Sequence, residues 1–406
     1  MKIPLSKIDQ IFIGADAYPI EFVFRYEKGL NPELLFETLK LTLLDFSPLA
    51  STICFDSKRN EWFFEPHHLN PYFEVREGLD RPLDSVKTIP DQPLLKVVLS
   101  QGEFEDQLGI SMSHAIADGF SYFFFLDSWF SRITGKSFAL PDHRRGELKA
   151  LIKKDSQEIV NSENFYQKTG LHWLKKISRA EIGELNFFRK QYRPENLVPN
   201  SIQNSTLNLI PNSIPNSILN STTSPTTNSN PKNTIVSANA ILSAFCLQDW
   251  LALNIHKSED IHLSCAVDLR QRLGGVIGSN YFGNAICGAG RKWSLLEFTQ
   301  LSMDDIALQI NQSVSSISLT QAQDLLTSLD LIYDQEGDSV NEKIHIADPF
   351  GGILVTNLSR LPLKNLDCGA GVPKDFSILT KATNTIAVTK VNEDLFLNGC
   401  ILKNNT

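Results

Sequence analysis

Leu108-Gly-Ile-Ser-Met-Ser-His-Ala-Ile-Ala-Asp-Gly-Phe-Ser-Tyr-Phe-Phe-Phe-Leu-Asp-Ser-Trp-Phe130 changes its hydrophobic period halfway along. Leu108, Ile110 and Met112 alternate with small or polar residues, the period of a strand packed on one face, and the run stops at Ser113 and His114. From Gly119 onward Phe120, Phe123, Phe124, Leu126, Trp129, Phe130 and Ile133 recur at intervals of three and four, with Asp127 and Ser131 between them, as in an amphipathic helix. His114 and Asp118 therefore fall in a short strand-to-helix turn, where a side chain can be exposed yet held by rigid elements on both sides. That placement suits a catalytic base. The alternative is a histidine satisfied at a strand end, and spacing alone does not choose between them. His-x-x-x-Asp recurs at His256-Lys-Ser-Glu-Asp260, a charged stretch with no change of period and no following glycine, which reads as solvated surface.

Outward from this turn the pattern is mixed α/β. Residues 10 to 26 alternate loosely and read as strands with a turn at Ala17-Tyr-Pro19. Asn31-Pro32 starts a helix by the cap-then-proline rule, with Leu35, Phe36, Leu39 and Leu43 as its buried stripe. Strand-like runs follow at 50 to 55, 62 to 65, 72 to 76 and 94 to 100. A helical region is expected from about 145 to 190, and its basic run, Arg144-Arg145 through Lys153-Lys154, reads as a solvated helix face. Between Arg193 and Asn233 the composition shifts to Asn, Ser, Thr and Pro, with Pro-Asn-Ser-Ile at 211 to 214 and again at 215 to 218. Such a segment has too little apolar surface to offset its ordering entropy, so 193–233 reads as a linker between domains 1–192 and 234–406, with room for one short strand at 206 to 210. Sequons at Asn204 and Asn220 matter only in a secreted protein.

Beyond the linker, Ser237 is placed to cap a helix whose stripe is Ile241, Leu242, Phe245, Trp250 and Leu251. Ile261, Leu263, Cys265 and Val267 alternate as a strand that delivers Asp268 and Arg270 at its end. Helices are expected at about 294 to 317 and 319 to 336, and strands at 353 to 358, 384 to 391 and 395 to 402, the last two joined as a hairpin at Asn392-Glu-Asp394. His345-Ile-Ala-Asp-Pro-Phe-Gly-Gly352 reads as a Gly-rich turn before a strand. His67-His68 has no visible partners for a metal, and no metal site is expected.

At 406 residues the chain has length for two domains, each with its own core. Hydrophobic residues at 42% and charged residues at 21%, with 25 Phe, are the values of a soluble globular protein. A formal net charge of −8 gives no electrostatic reason to expect nucleic acid or an anionic membrane as partner. The six Cys have no C-x-x-C pair and read as reduced, mostly buried thiols. The N-terminus lacks the apolar core of a secretion signal and no run is long enough to span a bilayer, so a cytoplasmic protein is expected, with monomer the default state.

Several stretches together resemble the BAHD family of acyl-CoA-dependent acyltransferases. His114-Ala-Ile-Ala-Asp118-Gly119 matches the family's H-x-x-x-D-G after a strand. Val267-Asp-Leu-Arg270 with Asn280-Tyr-Phe-Gly-Asn284 is similar to its V-D-x-R and Y-F-G-N. Val355-Thr-Asn-Leu-Ser-Arg-Leu-Pro362 and Leu366-Asp-Cys-Gly-Ala-Gly-Val-Pro373 resemble its T-S-W segment and D-F-G-W-G-x-P, with Cys368 and Ala370 in place of both aromatics. Leu5-Ser-Lys-Ile-Asp9 and Leu43-Leu-Asp-Phe-Ser-Pro-Leu-Ala50 also fall where the family has similar wording. The matches are collinear over nearly the whole chain, which is far more specific than any one of them.

The resemblance implies two chloramphenicol-acetyltransferase-like α/β domains of mixed sheet flanked by helices, joined by a crossover, with a channel between them. Acyl-CoA would be co-substrate, with no bound cofactor, and a small-molecule alcohol or amine the acceptor, meeting in a ternary complex. His114 would be general base; Asp118 would pair with Arg270 to hold the turn; Gly119, Asp367, Gly369 and Gly371 would be structural; Tyr281 and Asn284 would line the channel or serve the core. The alternatives are a non-catalytic descendant that binds a ligand or partner, and a condensation or lipid acyltransferase drawing on a carrier protein. Ser113, where condensation domains have a second His, argues against the carrier.

Overall fold

The computed structural model describes residues 2–66, 71–154, 160–192, 236–253, 259–391 and 394–403. The 193–233 segment with its strand and sequons, His67, His68, His256 and residues 392–393 of the last turn lie outside the described residues.

The chain opens with β1 (Ile3–Pro4), α1 (Lys7–Gln10), β2 (Ile20–Glu27) and α2 (Pro32–Asp45). Next come β3 (Ser51–Asp56), β4 (Glu61–Pro66), β5 (Tyr72–Glu77), β6 (Leu95–Gln101), β7 (Glu105–Met112) and α3 (Gly119–Ile133). The middle carries α4 (Gly146–Lys149), α5 (Ser162–Thr169), β8 (His172–Trp173), β9 (Leu185–Tyr192) and α6 (Ala238–Leu253). Then follow β10 (Asp260–Asp268), β11 (Ile286–Ser294), α7 (Leu295–Gln300), α8 (Met303–Ser316) and α9 (Leu319–Glu336). The chain finishes with β12 (Ile344–His345), β13 (Gly352–Asn357), β14 (Asp375–Ile378), β15 (Thr385–Val391) and β16 (Asp394–Leu402).

Two large mixed sheets carry the cores: a five-stranded one in the order β14-β2-β7-β6-β5 and a six-stranded one in the order β11-β10-β13-β15-β16-β9. In the first, Phe22 lies opposite Ile110 and Phe24 opposite Leu108, and this face packs on Tyr122 and Phe123 of α3. The period change in the sequence is thus the physical joint between sheet and helix. The second core gathers Leu263, Cys265, Val267, Ile353, Val355, Ile386 and Val388 under α6, α8 and α9.

Each sheet borrows a strand from the far end of the chain. β14 runs antiparallel to β2, with Asp375 opposite Arg25, and β9 runs antiparallel to β16, with Tyr192 opposite Leu395.

Three sequence expectations need correction. Of residues 10 to 26 only the part from Ile20 is a strand (β2); Gln10 instead closes the short helix α1, because the Ser6 side chain accepts from Asp9 N while the Asp9 carboxylate accepts from Ser6 N, a capping box. Among the described residues the 145 to 190 region holds two short α-helices and a 3-10 turn at Arg179–Glu181; Leu185–Tyr192 is a strand, since pairing along the whole of β16 outweighs a polar, helix-compatible composition. The 294 to 317 helix breaks at Leu301-Ser302, where Ser302 caps α8. Among the described residues, no helix is long and apolar enough to cross a membrane.

Candidate active site

Strand β7 of the first sheet and strand β10 of the second aim at one place. His114 follows the first by two residues, and Arg270 follows the second. Asp118 caps α3, accepting from Ser121 N at 2.8 Å, and also accepts from Ala285 N at 2.9 Å. Its remaining capacity goes to Arg270: Nη1 donates to Oδ2 at 2.8 Å and Nη2 to Oδ1 at 3.0 Å. None of these bonds reaches the His114 ring. Burial pushes the Asp118 carboxyl up, but the guanidinium and the two backbone N–H donors outweigh it and hold the carboxyl below its ordinary range. Arg270 also donates to Tyr281 O, Gly283 O, Ser121 Oγ and Asp268 Oδ1, so one buried cation ties the start of α3 to the loop before β11.

The His114 ring is half-buried. Phe12 stacks on it with centroids 3.8 Å apart, and Tyr18 meets it edge-on at 5.8 Å. Burial pulls its pKa down to about 4, against smaller opposing effects of Asp118, Asn284 and Asp9. The imidazole is therefore neutral at pH 7, the state a base requires. Nδ1 is buried and has no partner among the described residues, as is Oδ1 of Asn284, whose Nδ2 donates to His114 O at 2.8 Å. A leftover donor and a leftover acceptor in adjacent side chains form a natural pair, which would fix the proton on Nδ1 and leave Nε2 with its lone pair free.

Behind the ring lies a buried network that the sequence reading did not assemble. Asn284 Nδ2 donates to Asp9 Oδ1 at 2.8 Å, and Arg145 Nη1 donates to Asp9 Oδ2 at 2.8 Å. Arg145 Nη2 donates to the carbonyls of Ile116 and Phe282. Arg145 is wholly buried rather than part of a solvated helix face, because it neutralises a carboxylate that is itself sealed in. The available signal was Leu5-Ser-Lys-Ile-Asp9, which places an acid at a helix start. For Arg145, inside a run of basic residues, no signal separated it from its neighbours.

Tyr281 and Asn284 are both fully buried and so stand behind the site's wall instead of lining an open channel. The reason is bonding: Asn284 is held by Asp9 and the His114 carbonyl, and Arg270 binds the carbonyl of Tyr281. Gly119 begins α3 against Leu358. Far from the ring, Asp367 Oδ1 accepts from Gly369 N and Gly371 N, and both glycines take φ of 92°, a left-handed turn that glycine permits. Cys368 is buried in the first core, so the altered D-C-G-A-G still forms its turn.

Burial depresses the pKa of His172 and His345 as well as that of His114. Unfolded histidines titrate near 6.5, so as pH falls below that value the unfolded chain holds more protons than the folded one. Stability present above about pH 6.5 is lost progressively toward pH 4. Thermal melting followed by circular dichroism should show a plateau above neutrality and a decline on the acid side; a flat profile down to pH 4.5 would contradict it.

The Transferase family profile matches residues 82–389, more than half of the chain. No curated protein sequence matches. Among solved structures the fold is that of TRI101 from F. graminearum, crystallised with coenzyme A and T-2 mycotoxin (TM-score 0.70, 14% identity, 99% of this chain and 95% of that one). Vinorine synthase is similar at a TM-score of 0.65 and 16% identity, over 99% of this chain and 90% of that one. Polyketide synthase associated protein 5 from Mycobacterium tuberculosis follows at 0.58 and 15%, over 99% and 94%. With these matches and the ordered motifs around His114, Arg270 and Asp367, the chain belongs to the Transferase family, the BAHD acyltransferases.

Proposed function

We propose that the protein transfers an acyl group from acyl-CoA to a hydroxyl or amine of a small molecule, with His114 as general base. The observation that carries this is a neutral imidazole at the junction of the two sheets, half-buried, with Nδ1 facing inward and aromatic rings on two sides. TRI101 has been crystallised with coenzyme A and deoxynivalenol, which supports coenzyme A as the carrier and a small molecule as the acceptor.

A thioester is already activated, so the enzyme has mainly to place the acceptor and remove its proton. His114 Nε2 takes the proton as the acceptor oxygen or nitrogen forms its bond to the thioester carbonyl carbon. The tetrahedral intermediate then collapses, the carbon–sulfur bond breaks, and the imidazolium returns the proton to the thiolate, giving free CoA. With its pKa near 4 the imidazolium is a strong donor, so this second step is favourable. Both substrates must be present together, because no covalent enzyme intermediate is formed. Asp118 and Arg270 hold the turn, and Asn284, set by Asp9 and Arg145, orients the ring.

The test is release of free CoA thiol when an acyl-CoA panel is mixed with pooled alcohols and amines, with the acylated product identified by mass. Thiol release that needs both partners and His114 supports the reading. Binding of acyl-CoA without transfer to any acceptor would replace it with a non-catalytic binder.

A further inference from the structure

Tyr18, whose edge meets the His114 ring, also lines a cavity of about 90 Å³ together with Asp16, Arg179, His345, Lys381 and Thr383. Two of these are cations with no carboxylate partner among the described residues. Arg179 donates through Nη2 to the carbonyls of Ile11 and Asn341, while its Nε is buried with no acceptor among the described residues. Lys381 is exposed and borders a second, larger cavity of about 310 Å³ as well, beside Glu21 and Arg81. A guanidinium does not deprotonate, and Arg179 is half-buried with one N–H unused, so an anion entering the cavity would supply the missing acceptor.

We propose that this cavity receives a carboxylate carried by the acceptor substrate, with Arg179 as the inner contact and Lys381 at the mouth. The assignment of the occupant as an acceptor rests on the acyltransferase reading above; the carboxylate preference does not. Arg179 and Lys381 face the exposed Asp16 on the same cavity, and Glu342 is a further exposed acid near Arg179, so the surroundings are close to neutral and the anion preference rests on the unused Arg179 Nε and on Lys381 at the mouth. His345 donates through Nε2 to Ile177 O, and burial lowers its pKa, so it adds no charge at neutral pH. A molecule anchored here would lie along Tyr18 and present its other end to the imidazole.

The probe is benzoate, with benzamide as its neutral counterpart, titrated into the full chain by calorimetry or ligand-observed NMR. Benzoate is expected to bind about tenfold tighter than benzamide, the ratio that one well-placed charge contact of about 1.4 kcal/mol gives. Lys381→Glu reverses the charge at an exposed position without touching the core, and should cut that preference several-fold; Arg179→Gln should abolish it. The benzamide affinity serves as the internal control for folding. Equal binding of the two probes, no benzoate binding at all, or a preference that survives both substitutions overturns the proposal. Displacement of benzoate by malonyl-CoA but not by acetyl-CoA would move the carboxylate to the acyl group and overturn the acceptor assignment; displacement by inorganic phosphate at equal affinity would overturn the carboxylate. These outcomes are independent of thiol release, so the subsite and the transferase reading can fail separately.

Discussion

Replacement of His114 by Ala is expected to lower kcat for acyl transfer by about 10³-fold, within the 10²- to 10⁴-fold that a positioned general base contributes. The fold should survive, because the ring is half-buried and its losses are the stack on Phe12 and the edge contact with Tyr18. What remains is the catalysis due to holding acceptor and thioester together. In the parent protein the base should stay available across the neutral range: the free-enzyme pH profile of kcat/KM should lose activity only as pH falls toward about 4, not through the ordinary histidine range near 6.5. An acid limb centred near 6.5 would contradict the lowered pKa, and a His114→Ala rate within tenfold of the parent would remove His114 from the chemistry.

Arg270→Met should be the most damaging single change to stability outside the hydrophobic cores. It leaves the Asp118 carboxylate buried and ionised with only two backbone N–H donors, strips Tyr281 O of its donor and leaves Gly283 O with Ser121 Oγ alone. Breaking a buried pair from one side costs about 3–5 kcal/mol, which corresponds to a fall in Tm of order ten degrees. Adding Asp118→Asn should recover part of the loss, because the orphaned charge goes with it. A double variant as unstable as the sum of the two single ones would mean that the two side chains act independently, against the 2.8 and 3.0 Å geometry between them.

Much of this was legible because period and chemistry changed at the same residues. The switch from alternation to three-and-four spacing at Ser113 to Gly119 located the end of β7 and the start of α3 to within a residue. The Asn31-Pro32 start and the Ile261 to Val267 alternation were equally local signals, and the structure holds α2 and β10 there. What stayed hidden depends on contacts distant in sequence. Arg145 looks like any lysine-rich neighbour until Asp9, 136 residues away, comes to meet it. Leu185–Tyr192 becomes a strand only because β16 offers its edge. Tyr281 and Asn284 sit in a motif that could have faced a channel, and their burial follows from Asp9 and Arg270 drawing that loop inward.

The exchange of β9 and β14 between the two sheets bears on how the molecule is made. Emerging from the ribosome, the β2 side of the five-stranded sheet stays uncapped until residues 375–378 have been synthesised, more than 240 residues after α3 is complete. An open strand edge is an invitation to other chains, so the nascent protein passes through a long interval in which intermolecular pairing competes with its own completion. Neither portion on either side of 193–235 carries every strand of the sheet it builds, and expression as separate halves should yield fragments that need each other to become soluble.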